Sequence, residues 1–286
     1  MRKTVKLLLI PVVVLALAAA GVFAVLAIRR SYAPATHVLS VAASKKENRY
    51  VMPVKLIAHR GFSGVAPENT VAAVNAAGVA DYFGVEFDLR LSADGEWFAM
   101  HDDDVSRMTD GEGLISEMTS AQIEKLTIDA GNNVIQYENE KIPTAREMLE
   151  AAAANGLCPI VEIKTGGAPS EKYKQLADLI TELIPGEFQI ISFEMNALQE
   201  MKKYLPDASL WLLSSKVTTE QILSCSDAGL TGVSFNANHF LNHRYIDDIL
   251  DSGLMVAAWT VDNIRMLDRL YSKGVYFITT NYIQPA

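Results

Sequence analysis

Residues 84–101 read GVEFDLRLSADGEWFAMH, and this stretch decides the fold. Val85, Phe87 and Leu89 alternate with Glu86, Asp88 and Arg90, the period of two that marks a β-strand. Asp94-Gly95 is the strongest short-range turn signal, so residues 96–101 are expected to return antiparallel to the strand before them. Centring the turn between Asp94 and Gly95 sets His101 opposite Asp88.

Outward from this hairpin, short Val- and Ile-rich runs alternate with helical patterns of about a dozen residues, the signature of βαβ units and a parallel sheet. Strands are expected at 56–59, 84–91, 159–164, 188–193, 209–213, 232–235, 255–261 and 275–279. Helices fit 69–78, 144–155, 171–183, 196–204, 219–228, 245–252 and 264–273. With the hairpin return set aside, eight parallel strands remain. Over this length they argue for an α/β chain folded as a TIM (β/α)8 barrel, with a doubly wound open sheet as the competitor. Residues 103–141 lack a clean period and read as a small, loop-rich insertion at the barrel mouth, with one short helical piece at 121–126.

The chain has 286 residues, 50% of them hydrophobic and 21% charged, with 17 Gly and 10 Pro. This excludes disordered, collagenous and disulfide-scaffold proteins. Residues 1–50 hold 8 Lys/Arg against 1 Asp/Glu, leaving 17 against 33 for the remainder. A body this acidic is a poor partner for nucleic acid, and an anionic substrate would need a local attractor such as a metal ion. Cys158 and Cys225 fit neither a zinc pattern nor a redox pair and read as buried free thiols, with a single disulfide as the alternative.

Residues 7–28 carry no charge and are long enough as a helix to cross a hydrocarbon core of about 30 Å. They are expected to form one N-terminal transmembrane helix. A cleaved signal peptide is the rival, but its apolar region is shorter and does not end in Arg29-Arg30. The resulting division is a cytoplasmic stub and anchor (1–30), a linker (31–50) and a barrel domain (51–286). Arg2, Lys3 and Lys6 favour the N-terminus inside. The chain is therefore expected to be a single-pass cell-membrane protein with its catalytic domain extracytoplasmic.

A TIM barrel carries its active site at the C-terminal ends of its strands. The first expected strand ends in His59-Arg60-Gly61, followed by Pro67-Glu68-Asn69-Thr70 at a helix start. In the second, Glu86 and Asp88 share one face. Two carboxylates on an inward face repel each other and lose hydration unless a hard cation such as Mg²⁺ or Ca²⁺ joins them; the alternative is an exposed edge. The hairpin delivers His101 to this pair, against the alternative of a solvated acidic turn over 101–104. Glu162 and Lys164 share a face of a later strand, either as an internal ion pair or as part of the site. Three carboxylates, two histidines, an arginine and a lysine at one mouth suit phosphoester chemistry. His37, His239 and His243 read as ordinary loop histidines.

These residues resemble the glycerophosphodiester phosphodiesterase family from about Leu56 onward. The motifs, in order, are His59-Arg60-Gly61, Glu68-Asn69-Thr70, Glu86 and Asp88, His101-Asp102 with Arg107 and Thr109, Ile142-Pro143-Thr144, Glu162 and Lys164, and Trp259-Thr260-Val261. The resemblance implies a divalent-metal-dependent hydrolase that converts a glycerophosphodiester to glycerol 3-phosphate and an alcohol. It implies Glu86, Asp88 and Glu162 as metal ligands, His59 and His101 as the acid/base pair, Arg60 and Lys164 on phosphate oxygens, and Phe193 and Trp259 lining the pocket. Asp262 stands where the family often has Asn, Asn281 where a final Asp is common, and Ala145 where Leu is usual. Within the same chemistry, a lysophospholipid or a phosphoglycerol polymer near the bilayer is an alternative substrate. A non-catalytic barrel that binds phosphodiester headgroups is the rival from another class.

Overall fold

The computed structural model describes residues 39–40, 54–165 and 167–285. Its main sheet is built from β1 (Lys55–Ala58), β2 (Gly84–Leu91), β3 (Trp97–Ala99), β4 (Cys158–Ile163), β5 (Gln189–Ser192), β6 (Ser209–Ser214), β7 (Gly232–Asn236), β8 (Met255–Trp259) and β9 (Phe277–Thr280). All but β3 run parallel, in the order β1-β9-β8-β7-β6-β5-β4-β2, and β2 pairs back with β1. The sheet thus closes into an eight-stranded parallel barrel and rules out the open-sheet competitor.

The crossovers carry α1 (Val71–Val79), α2 (Ser120–Ile123), α3 (Ala145–Ala154), α4 (Ser170–Leu183), α5 (Met195–Tyr204), α6 (Thr219–Asp227), α7 (Ile246–Asp251) and α8 (Ile264–Tyr271). Several start on residues that satisfy their free N–H groups. Thr70 accepts from Ala73, Thr144 forms a capping box with Glu147, and Thr218 forms one with Gln221. The helices lay their apolar stripes on the outside of the barrel, where Val85, Phe87, Val161, Leu176, Ile180 and Leu198 belong to one continuous core. Ile57, Ile160, Ile191, Trp211, Leu213 and Phe277 form a separate cluster with the opposite strand faces. Alternation along each strand produces this inside–outside division.

The hairpin corrects one expectation. Observed pairs are Leu89 with Ala99, Arg90 with Phe98 and Leu91 with Trp97, one residue out of the expected register. The loop is Ala93-Asp94-Gly95, three residues, with Glu96 O accepting from Ser92 N and Gly95 at φ +82°. A glycine in the left-handed region closes such a three-residue turn. Met100, not His101, therefore faces Asp88, and Met100 N donates to Asp88 O at 3.0 Å. β3 ends at Ala99, so His101 is freed from the alternation of the strand and reaches the mouth by a different route.

The insertion at 103–141 has its own small core, with Val105, Met108, Ile115, Ile123 and Ile128 packed beneath Phe98 and Met100. It leans on the loop after β1, where Asn132 and Asn133 donate to Ser63 O and Val65 O. A short parallel pairing of Leu39–Ser40 with Ile283–Gln284 was not expected from the sequence. Cys158 and Cys225 are free and buried. The expected transmembrane segment and nearly all of the linker lie outside the described residues. Among the described residues, no helix is long and apolar enough to cross a membrane.

Candidate active site

The alternation of β2 turns Glu86 and Asp88 into the barrel while Val85 and Phe87 pack against the helices. β4 pairs with β2 in parallel, placing Glu162 level with Asp88. Oxygens of Glu86, Asp88 and Glu162 come within 4.8 Å of one another, and all three residues are buried.

Two cations border the trio. Lys164, just past the end of β4, holds its ammonium 2.6 Å from Glu162 Oε1 and 3.0 Å from Asp88 Oδ1. Arg60, just past the end of β1, lies with Nε 3.5 Å from Asp88 Oδ2 and donates from Nη1 to Glu68 Oε1 at 2.9 Å. The backbone is shaped for this contact. Arg60 sits at φ +54° and Asn69 at φ +55°, both in the left-handed region, and Asn69 N donates to Arg60 O. In this conformation Arg60 N donates to Glu86 Oε2 at 2.8 Å, and Asn69 Nδ2 donates to Asp88 Oδ2 at 2.8 Å. Backbone strain of this kind at a cluster of buried charges marks a functional site. Gly61 allows the loop to approach α1: a Cβ there would meet Ala73 Cβ at 2.3 Å.

The charges are unequally shared. Burial, with Asp88 and Glu162 nearby, pushes the Glu86 carboxyl well above the usual range. Burial and Asp88 push Glu162 up to about 8. Asp88 is also buried, but Lys164 and Arg60 hold it below its ordinary value. Burial and mutual repulsion thus oppose full ionisation of the three carboxyl groups. Glu86 Oε1, Asp88 Oδ1 and Glu162 Oε1 have no aligned hydrogen bond; Lys164 approaches the last two without hydrogen-bond alignment. Arg60 Nε lacks an aligned partner as well. These converging hard oxygens, with Glu86 Oε1 lacking a donor and the other two facing the Lys164 ammonium, fit a divalent cation of the Mg²⁺ or Ca²⁺ class, and the Arg60 Nε donor beside them fits an anion.

The two histidines are mounted differently. His59 Nδ1 is 2.8 Å from Asn281 Oδ1, and Nε2 is 3.9 Å from Glu86 Oε2. Burial, reinforced by Arg60, lowers His59 to about 4, so its imidazole is neutral at ordinary pH. His101 is held by its carbonyl, which accepts from Arg90 Nε and Nη2, and its Nδ1 is 2.6 Å from Asp102 Oδ1. Burial lowers His101 too, against the opposing pull of Asp88 and Asp102. Arg107, from the insertion, bridges Asp102 and Glu68, tying the supports of His101 and Arg60 together.

One cavity of about 110 Å³ collects these groups. His59, Arg60, Glu86, His101, Glu162 and Lys164 line one side, and Ile191, Phe193, Leu213 and Trp259 the other. Phe193 and Trp259 meet edge to face at 5.7 Å. Every site residue expected from sequence converges here, with Asp88 in the carboxylate cluster behind the lining. Asn69, Asp102, Arg107, Asp262 and Asn281, given no role beforehand, complete the support. Of these, Asn69, Asp102 and Arg107 lay in motifs already legible, whereas the joining of Asp262 to Asn281 left no local signal.

Residues 59–284 match the model of the glycerophosphoryl diester phosphodiesterase family. A glycerophosphodiester phosphodiesterase of Caldanaerobacter subterraneus is 30% identical over 236 residues, covering 80% of this chain and 95% of that protein. One from Bacillus subtilis is 29% identical over 267 residues, covering 86% and 89%. Among solved structures, a phosphodiesterase of Oleispira antarctica, in complex with the product sn-glycerol-3-phosphate, superposes with a TM-score of 0.74 at 30% identity, covering 80% of this chain and 93% of that one. The chain belongs to the glycerophosphoryl diester phosphodiesterase family, and it is an enzyme of that family.

Proposed function

We propose that this member of the family hydrolyses glycerophosphodiesters to glycerol 3-phosphate and an alcohol, with a divalent cation held by Glu86, Asp88 and Glu162. The observation that carries this reading is the cavity where the converging carboxylates of Glu86, Asp88 and Glu162, the Arg60 guanidinium and two imidazoles meet. When bound, the cation would neutralise the carboxylates and polarise a phosphoryl oxygen. Arg60 and Lys164 balance the negative charge that grows on phosphate as the nucleophile enters.

The mountings of the histidines divide the proton work. Burial and the neighbouring Arg60 leave the His59 imidazole uncharged, and the Asn281 amide holds its Nδ1, so that it can take the proton of the attacking oxygen, whether water or a neighbouring glycerol hydroxyl. Asp102 presents a carboxylate to His101 Nδ1, which opposes the lowering by burial and would steady the imidazolium that protonates the departing alkoxide. Phe193 and Trp259 would pack against the carbon skeleton of the substrate.

The same reading places the chain at the cell membrane as a single-pass protein anchored by residues 7–28, with the barrel extracytoplasmic. Protease added to intact cells would remove the barrel if this orientation holds and spare it otherwise. For the activity, the full chain in detergent is stripped with chelator, given glycerophosphocholine or glycerophosphoethanolamine, and assayed for glycerol 3-phosphate with Mg²⁺ or Ca²⁺ restored. Metal-dependent release supports the proposal. A folded protein releasing no product from these or from lysophospholipids would overturn it in favour of a headgroup-binding barrel.

A further inference from the structure

His59 is backed by a chain of hydrogen bonds whose donors and acceptors leave no freedom. Asp262, in the loop after β8, accepts at both carboxylate oxygens. Oδ1 takes Asn281 N at 2.7 Å and Thr280 Oγ1 at 2.9 Å, and Oδ2 takes Asn281 Nδ2 at 2.7 Å. The amide of Asn281 is therefore oriented with Nδ2 toward Asp262 and Oδ1 toward His59. Oδ1 also accepts from Ser63 Oγ at 3.0 Å. An acceptor 2.8 Å from His59 Nδ1 requires that nitrogen to carry the proton, which leaves Nε2 as a lone pair on the side of Glu86 and the cavity.

We propose that Asp262 and Asn281 form one positioning relay that sets the tautomer and ring orientation of His59, so that Nε2 arrives at the substrate unprotonated. This rests on the reading of His59 as the base given above.

Exchanging the two side chains makes a sharp test. In Asp262→Asn, the new carboxamide must keep its oxygen on the fixed backbone N–H of Asn281, so its NH₂ turns to the Asn281 side chain. That side chain must then present its own oxygen to the new NH₂ and its NH₂ to His59. Nδ1 becomes an acceptor, the proton moves to Nε2 and the base is lost. The wrong tautomer in a comparable histidine site costs about 10⁴-fold in turnover; for a histidine without a buried carboxylate partner we expect ~100-fold in kcat with KM within ~3-fold, at the lower end of general-base contributions. The double variant Asp262→Asn/Asn281→Asp satisfies every donor and acceptor again and is expected to recover to within ~5-fold of the parent, in line with restored base catalysis.

The measurements are kcat and KM of the full chain on glycerophosphocholine with Mg²⁺, and ¹⁵N NMR of histidine-labelled protein, with the His59 signals assigned by their loss in His59→Ala. The parent and the double variant are expected to show His59 protonated at Nδ1, and Asp262→Asn at Nε2. An unchanged tautomer in Asp262→Asn, or a double variant no better than that single variant, overturns the relay. Should Asp262→Asn fail to fold, the double variant alone decides, through its Nδ1–H signal and near-parent turnover or the lack of either. The tautomer judges the relay separately from the role of His59: full turnover in His59→Ala would refute the base assignment, and the NMR result would stand on its own.

Discussion

Replacing Glu86 by Gln should make the metal-free protein more stable while removing its response to metal. The carboxylate oxygens of Glu86, Asp88 and Glu162 lie within 4.8 Å of one another. Two unit charges at that separation repel by about 3 kcal/mol at an effective dielectric constant near 20. Burial and this repulsion push the Glu86 carboxyl well above its ordinary range. The cost to the folded state grows as pH rises above the ordinary carboxylate range and is capped by the repulsion of about 3 kcal/mol. Gln copies the protonated form permanently, still accepts the Arg60 N–H, and can donate to the neighbouring carboxylates. The sign follows from linkage. A carboxyl with a raised folded pKa contributes stability that is full below its unfolded value and is lost as pH rises through the folded one. For Glu162 that window runs from about 4.5 to about 8. Thermal unfolding of the full chain in chelator at pH 6 and pH 8 is the assay. With about 2–4 °C per kcal/mol for a domain of this size, the variant should melt above the parent by at most roughly 6–12 °C, with the larger difference at pH 8. Mg²⁺ or Ca²⁺ should raise the parent and leave the variant unmoved. A variant that melts below the parent in chelator, or that keeps the full metal-induced shift, refutes the reasoning.

His59→Ala and His101→Ala should each lower turnover at least ~100-fold with melting temperatures near that of the parent, measured by product release and thermal unfolding. Phe193→Ala removes one wall of the cavity while leaving the charged groups in place, so KM should rise ~5-fold with kcat within twofold; a reversed split would show that Phe193 serves the chemical step. Cys158, pushed up to about 12, and Cys225, up to about 11, are neutral thiols at pH 8. A thiol reagent should label neither until denaturant is added, since the thiolate is the reactive form. Gly95→Ala places a side chain at φ +82° and should cost about 1–2 kcal/mol, lowering the melting temperature by roughly 2–8 °C; no change would mean that the turn adopts another form.

Much of this protein is legible along the chain because backbone geometry writes short periods into sequence. The alternation in Gly84–Leu91 placed Glu86 and Asp88 on the inner face, and the same rule joined Glu162 to Lys164. The count of strands and helices argued for a barrel against an open sheet, which the pairing of β2 with β1 then ruled out, and strand ends named residues that line its mouth. Local reading failed where one residue of loop length matters. A two-residue turn at Asp94-Gly95 and the observed three-residue turn share the same dipeptide, yet they shift the register of β3 and change how His101 reaches the site. It also could not see contacts made by closure. His59 and Asn281 are 222 positions apart and meet because β9 pairs with β1 to complete the cylinder. Periodicity reports which way a side chain points from its own strand; it holds no record of which distant side chain it will face. The residues that line the cavity were therefore legible in the sequence, while the distant partner of His59 was decided when the first and last strands joined.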